Sequence, residues 1–412
     1  MNKDVNIPSL IIAISFSVSL LLLLFFSPFL TAFLGVIAMC FCARNDSMYV
    51  IPFYVLVLLV IISLSINATS FEIASYAVDD FTAYYNNFIE TYYAGLTFET
   101  MFQWRIDFVI PVLNYIFGFF VFKSPESLLF SYSVTFFLLL ILLIEKIAIR
   151  YELDFKKKVM LYVFVFIFLK TGALFQALRQ GFATIFILLS YYSLSKKSYI
   201  YGVLAIFSHF SSFIILPITF ILLNTNENLK FKLTISLGLA MCGLMLFAGD
   251  IINNPYIASY FGFTLSAYLS GTGVYGLSRL IYLVPLVFFL ILAKKNEEIR
   301  SIRNTTICMI LLTIPTIFLL GAFRVFAPIY FIALGVIYYR LYIHLSSKLK
   351  ILCVTFMMLL WSFTNYNWTK DGNYFYVTFP KISNELGYFI DTYFLEEKHY
   401  IDRQSLPWDR EQ

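Results

Sequence analysis

Apolar runs of membrane-spanning length recur along this chain, and they leave it one class of fold. They lie near 10–26, 30–43, 49–66, 126–144, 159–178, 180–194, 199–208, 211–223, 233–249, 278–293, 304–320, 325–342 and 350–366. A bilayer core is spanned by roughly 20 apolar residues of helix. In lipid every backbone polar group must be satisfied within the structure, so only helices and closed barrels cross. These runs are continuously apolar and not alternating, which excludes a barrel. The expected fold is an all-α polytopic membrane protein of about 12–14 transmembrane helices. Composition agrees: 60% of residues are hydrophobic, 20% aromatic and 13% charged. No soluble domain has that balance. The first run lacks a small-residue cleavage site and reads as a retained span.

The polar residues organise the rest. The transmembrane domain is expected over 1–366 and a polar tail over 367–412. Basic loops mark the cytoplasmic side. They hold Lys146, Arg150 and Lys156 to Lys158, then Lys196 and Lys197, Lys230 and Lys232, Lys294 to Arg303, and Lys348 and Lys350. The net charge of +5 is thus a topology signal and does not point to nucleic acid. Two long loops, 67–106 and 250–277, are poor in basic residues and are expected outside.

Two stretches conflict with simple span counting. If 108–122 crossed, the basic loop after 144 would fall outside. It reads as an outer interfacial or re-entrant helix. The stretch 199–223 has the length of one span but carries lysines at both flanks. It reads as a hairpin of two short helices meeting at His209, with a single tilted helix as the alternative.

This topology puts Arg179, Arg279 and Arg324 at the outer ends of spans, and Arg105 in the outer loop before the interfacial helix. Arginine there opposes the positive-inside bias. A guanidinium fork binds phosphate oxygens with paired charge-assisted hydrogen bonds, and several forks at one face could hold a diphosphate. Snorkelling to headgroups is the plainer alternative for each. His209, the one histidine within a membrane segment, can donate a hydrogen bond or accept a proton near neutral pH. The first outer loop carries Asp79, Asp80, Tyr84 and Tyr85, with Arg105 and Asp107 farther on. Carboxylates and tyrosines suit sugar hydroxyls and rings, and Asp80 or Asp107 could act as general base. A solvated amphipathic loop would look the same.

Common signatures are missing. The sequence has no P-loop, no HExxH and no GxSxG, and no metal or other cofactor is expected. The five cysteines all sit in apolar runs without a CxxC pair and read as small core residues.

The order of these pieces resembles the EpsG/Wzy-type polysaccharide polymerases of bacterial surface glycans. The matching features are Asp80 with Tyr84-Tyr85, then Leu113-Asn114, Leu178-Arg179-Gln180-Gly181, His209-Phe210-Ser211, Ser278-Arg279 and Phe323-Arg324. They cover roughly 75–340; Arg105-Ile106-Asp107-Phe108 stands where the family often has a Glu-Pro-Gly-like turn. The resemblance implies a GT-C-like, metal-independent glycosyltransferase in the bacterial cytoplasmic membrane, its active site facing the periplasm or exterior. It would polymerise undecaprenyl-diphosphate-linked repeat units into O-antigen, capsule or exopolysaccharide. Arg179, His209, Asp80 and Asp107 would be catalytic. Arg279, Arg324, Arg105, Tyr84, Tyr85 and Gln180 would bind substrate. The implied partners are the lipid-linked glycan, membrane lipid and a chain-length regulator. A lipid-linked oligosaccharide flippase and an O-antigen ligase are the rival readings.

Overall fold

The computed structural model describes residues 7–69, 85, 107–118, 125–169, 178–224, 226–246, 275–316 and 325–366. Among the described residues the regular structure is helical, with no strand. The helices are α1 (Ile7–Leu24), α2 (Pro28–Phe41), α3 (Val50–Thr69), α4 (Val109–Phe117), α5 (Pro125–Arg150), α6 (Phe155–Phe168), α7 (Leu178–Tyr192) and α8 (Lys197–Ser208). Then follow α9 (Ser212–Leu223), α10 (Glu227–Leu246), α11 (Tyr275–Leu292), α12 (Glu297–Thr316), α13 (Leu334–Ile343) and α14 (Ser347–Tyr366). A π-helical turn, Ile329–Ala333, leads into α13.

Among the described residues the apolar runs of the sequence coincide with helices, but several helices start earlier than hydropathy suggests. The runs at 233–249 and 304–320 belong to helices that begin at Glu227 and Glu297. Acidic residues in a first turn complement the partial positive charge of the helix N-terminus. Lys230, read from sequence as a loop residue, therefore lies inside α10 and is 1% exposed. The run 159–178 ends as helix at Phe168, and Leu169 is extended. Other starts carry local caps. Ser27 accepts from the Leu30 N–H ahead of Pro28, and Asp154 accepts from the Lys157 N–H.

The chain divides into two compact units, Met1–Phe210 with Met358–Gln412, and Ser211–Met357. In the first, α6 is buried on every side from Val159 to Phe168, which marks it as the unit's centre. Helices α5 and α7 pack together through aromatic rings: Phe136 and Tyr132 meet Phe182 at 6.1 and 6.3 Å. Helix α2 approaches α3 closely at Gly35. A Cβ there would stand 2.6 Å from Val60 Cγ2, so the small residue sets the spacing. At another point α3, α5 and α6 are tied by charge. Glu145 accepts from Tyr54 and Tyr162 hydroxyls at 2.9 and 2.8 Å and from Lys158 at 3.2 Å.

The second unit packs α10 and α11 against α12. Lys230 donates to Glu227 at 3.1 Å and to the Thr305 hydroxyl of α12 at 2.9 Å. Glu298 joins α12 to the α13 end, accepting from Arg340 Nε at 2.9 Å and standing 2.8 Å from His344 Nε2. Burial of Glu298 disfavours its charge, but hydrogen bonds from His344 and Arg340 outweigh that and hold its carboxyl below the ordinary 4.5.

Large apolar side chains are exposed along several helix faces, while the buried core is mostly apolar as well. Val284, Phe288 and Ile291 form an exposed apolar stripe along α11, and Ile307, Leu311 and Ile314 form another on α12. Ser63, Ser133, Thr184, Gln180, Asn114 and Thr313 are buried. Apolar faces of that length outside and hydroxyls inside suit a lipid solvent. Residues 47–66 and 127–150 are each long and apolar enough to cross a bilayer alone.

Candidate functional site

The site grows from one carboxylate. Asp107 immediately precedes α4, whose N-cap position is taken by Phe108 without a side-chain cap. Asp107 reaches away from its own helix. Its Oδ2 accepts from Arg179 Nη1 at 2.9 Å, and its Oδ1 accepts from the backbone N–H of Phe210 at 2.9 Å. Both oxygens are thereby engaged, one by a charge and one by a peptide dipole. Hydrogen bonds to an ionised partner contribute roughly 1.5–3 kcal/mol each, above the neutral average.

The Phe210 N–H is available because α8 stops at Ser208. His209 is extended, with φ −157° and ψ 117°, and its own N–H still donates to the Ala205 carbonyl at 3.1 Å. The next amide has left the helix and is caught by Asp107. Phe108 packs on Phe207 with ring centroids 4.3 Å apart, which seats α4 beside the α8 end. On the other side of α4, Tyr132 of α5 donates to the buried Asn114 side chain. The carboxylate thus sits where three elements meet: the α4 start, the first turn of α7 and the end of α8.

Arg179 occupies that first turn of α7, where the leading backbone N–H groups have no carbonyl partner within the helix. Its side chain keeps 31% of its surface exposed, while Asp107 keeps 15%. The local result is a guanidinium held at one end by a carboxylate, beside a helix N-terminus. Helix N-termini and guanidinium forks both favour anions as a class.

The structure therefore brings together Arg179, Asp107 and the backbone next to His209. Gln180 follows Arg179 and is buried. Tyr85 is fully buried. Asp80, Tyr84, Arg105, Arg324 and the side chain of Arg279 lie outside the described residues, as does most of both long loops. What sequence reading missed is the pairing itself. Asp107 and Arg179 were each legible as candidates, but no local period connects residues so far apart. The available signal was an unneutralised acid at the foot of an apolar helix, which needs a cation. Among the described residues no group of His, Cys, Asp and Glu could hold a metal ion, and the cysteines are free thiols.

Among the described residues the structure is all helical with lipid-suited faces, compatible with a membrane protein. A model of the EpsG family matches residues 53–379, and the chain belongs to that family. Membership makes it, in coarse terms, a glycosyltransferase-like polysaccharide polymerase. The matched stretch contains Asp107, Arg179 and His209. No curated protein and no solved structure matches the chain.

Proposed function

We propose that the protein extends a surface polysaccharide by joining repeat units carried on a polyprenyl diphosphate, undecaprenyl diphosphate being the expected carrier. The single observation that carries this is Arg179, fixed by Asp107 in the first turn of α7. A diphosphate leaving group develops negative charge as the glycosidic bond to it breaks. A preorganised guanidinium beside helix N–H donors stabilises that charge without reorganising during the reaction. The acceptor hydroxyl attacks the anomeric carbon of the donor chain and gives up a proton, and the diphosphate leaves.

In this assignment Asp107 orients Arg179 and fixes the turn at Phe210. With both oxygens occupied, it is the weaker candidate for general base, and Asp80 takes that role. His209, at the end of α8, hydrogen-bonds the diphosphate or the acceptor. Arg279, Arg324 and Arg105 are assigned further phosphate contacts, and Tyr84 and Tyr85 sugar contacts. The reaction would need no metal or nucleotide sugar. A GT-C-like architecture, a hairpin of α8 and α9 in the bilayer, a multi-pass arrangement in the bacterial cytoplasmic membrane and a site facing outward belong to the same proposal. So do the partnership with a chain-length regulator and the choice among O-antigen, capsule and exopolysaccharide.

The test is the glycan ladder of a deletion strain carrying either wild-type protein or Arg179→Ala. The proposal expects a full ladder with the first and single repeat units with the second. Long chains that stay on the polyprenyl carrier in the deletion strain would identify a ligase instead.

A further inference from the structure

Helix α7 carries a second set of polar groups that its packing leaves unexplained. Gln180 is 2% exposed and Thr184, one turn later on the same face, is 0% exposed. Neither the amide oxygen nor the amide nitrogen of Gln180 has a hydrogen-bond partner, and neither does the Thr184 hydroxyl. A glutamine amide can donate twice and accept twice. Leaving such groups dry costs more than any single hydrogen bond returns.

Buried hydroxyls elsewhere divide into two sets: Ser63, Ser65, Thr219 and Thr234 also lack a partner, but among the described residues Gln180 is the side-chain amide with both polar atoms buried and unpartnered. Thr31, Ser131, Thr135, Ser208, Thr306 and Thr313 all donate to the carbonyl four residues earlier. Thr184 lies in the same kind of helix and does not use that bond. At the far end of α7, the equally buried Ser190 donates to the Ser198 carbonyl at 2.8 Å. Within α7 the groups without a partner lie at the end that holds Arg179, although Ser193, just past the other end, lacks one too. Ser133, on the packed helix α5, is likewise fully buried with an unpartnered hydroxyl.

We propose that Gln180 and Thr184 form a subsite for a sugar ring, the one attached to the diphosphate that Arg179 holds. The pair carries no formal charge and offers donors and acceptors together, which suits a neutral polyol and not a phosphate. Arg179 and Gln180 are consecutive in the first turn of α7, their side chains about 100° apart around the helix, so a glycosyl phosphate that meets both wraps around that turn. The inference rests on the proposed function and names the part of the substrate this helix turn reads.

The experiment uses the full chain in nanodiscs, with lipid-linked repeat units extracted from a polymerase-deletion strain as substrate. Gln180→Leu and Thr184→Val remove the dry polar atoms at little change in volume. If the groups exist for a ligand, both variants keep or raise the wild-type Tm, while KM for the repeat unit rises roughly 3–10-fold for each hydrogen bond lost. Thr184→Ser restores the wild-type KM. If the pair is satisfied by buried water, both variants lower the Tm and leave KM unchanged, and the subsite is wrong. Thr184→Val is nearly isosteric, so it decides the matter even where Gln180→Leu does not fold. Arg179→Ala serves as the internal control. Wild-type protein that polymerises while both variants keep its KM removes the subsite alone; wild-type protein that never polymerises removes the proposed function and the subsite with it.

Discussion

Each unit of the molecule contains a cation paired with a carboxylate, and the two pairs are built differently. In the second unit Lys230 is 1% exposed and meets both Glu227 and Thr305. Its charge is closed off by the packing of α10 against α12. In the first unit Arg179 meets Asp107 but keeps 31% of its side chain exposed. A guanidinium has five donors in a rigid fork, and the Asp107 contact uses the Nη1 end. The Lys230 pair is a lock between helices. The Arg179 pair is a cation held by Asp107 with part of its side chain exposed. Burial, more than the mere presence of charge in an apolar segment, is what distinguishes the two pairs.

Substitution at Arg179 gives the sharpest break in that comparison. Arg179→Ala should lower polymer output about 100–1000-fold, the range for losing one preorganised donor to a developing charge. Its Tm should move little, because a partly exposed pair contributes modestly to stability. Arg179→Lys should recover only part of the activity, since an ammonium cannot offer the paired fork. A ladder of normal length from the alanine variant would place Arg179 with the structural ions.

Lys230 should behave in the opposite way. Lys230→Ala leaves Glu227 and Thr305 facing a buried gap, and removal of one partner from a buried pair costs about 3–5 kcal/mol. Glu227 keeps 30% exposure, so water can relieve part of that. The expected readout is a clear fall in Tm or in folded yield, with a ladder of normal length from the protein that survives. Wild-type Tm in this variant would show that the lock does not hold α10 to α12.

Asp107 lies between these extremes and sharpens the contrast. If it positions Arg179, Asp107→Asn keeps a group able to accept from both donors but loses the charge. Output should then drop about 10-fold, the equivalent of roughly 1.4 kcal/mol, and long chains should still form. Loss as deep as that of Arg179→Ala, with a normal Tm, would instead make Asp107 the base.

Much of this was open to reading in the sequence, and the failures share a cause. Lipid demands long apolar helices, so hydropathy placed most of the described helices, whereas the break at His209 and the short α4 were read from the basic loops and the topology they impose. Hydropathy misplaced the starts of α10 and α12, because charged first turns at Glu227 and Glu297 look like loop to a hydropathy average. It also assigned Lys230 to a loop for its charge, although a lysine can be buried when Glu227 and Thr305 receive it. Arg179 was legible as an oddity on the wrong side of a topology rule. Its tie to Asp107 was not, since contacts between distant helices leave no period in the chain. Nor could sequence show that Gln180 and Thr184 lack partners, which depends on the rotamer of each and on every neighbour.

The smallest effect expected concerns the Glu298 cluster, a third arrangement that sits between lock and held cation. Asn296 Oδ1 accepts from the Ile299 N–H at 2.7 Å and so caps α12. That leaves its amide nitrogen facing His344 Nδ1 at 3.0 Å. In the neutral ring Nδ1 is then the acceptor, and Nε2 carries the hydrogen toward Glu298. The Glu298 carboxyl is held below its ordinary 4.5. A lowered folded-state value contributes stability that is present above the unfolded value and lost as pH falls through the folded one. The advantage of wild-type protein over Glu298→Gln in Tm should therefore shrink once pH drops below about 4.5. Because Glu298 is 33% exposed, solvent screening keeps the gap small, and added salt should narrow it further. A gap that widened on acidification would mean that Glu298 is not held by Arg340 as its ionised form, and the contrast with Lys230 would have to be drawn without it.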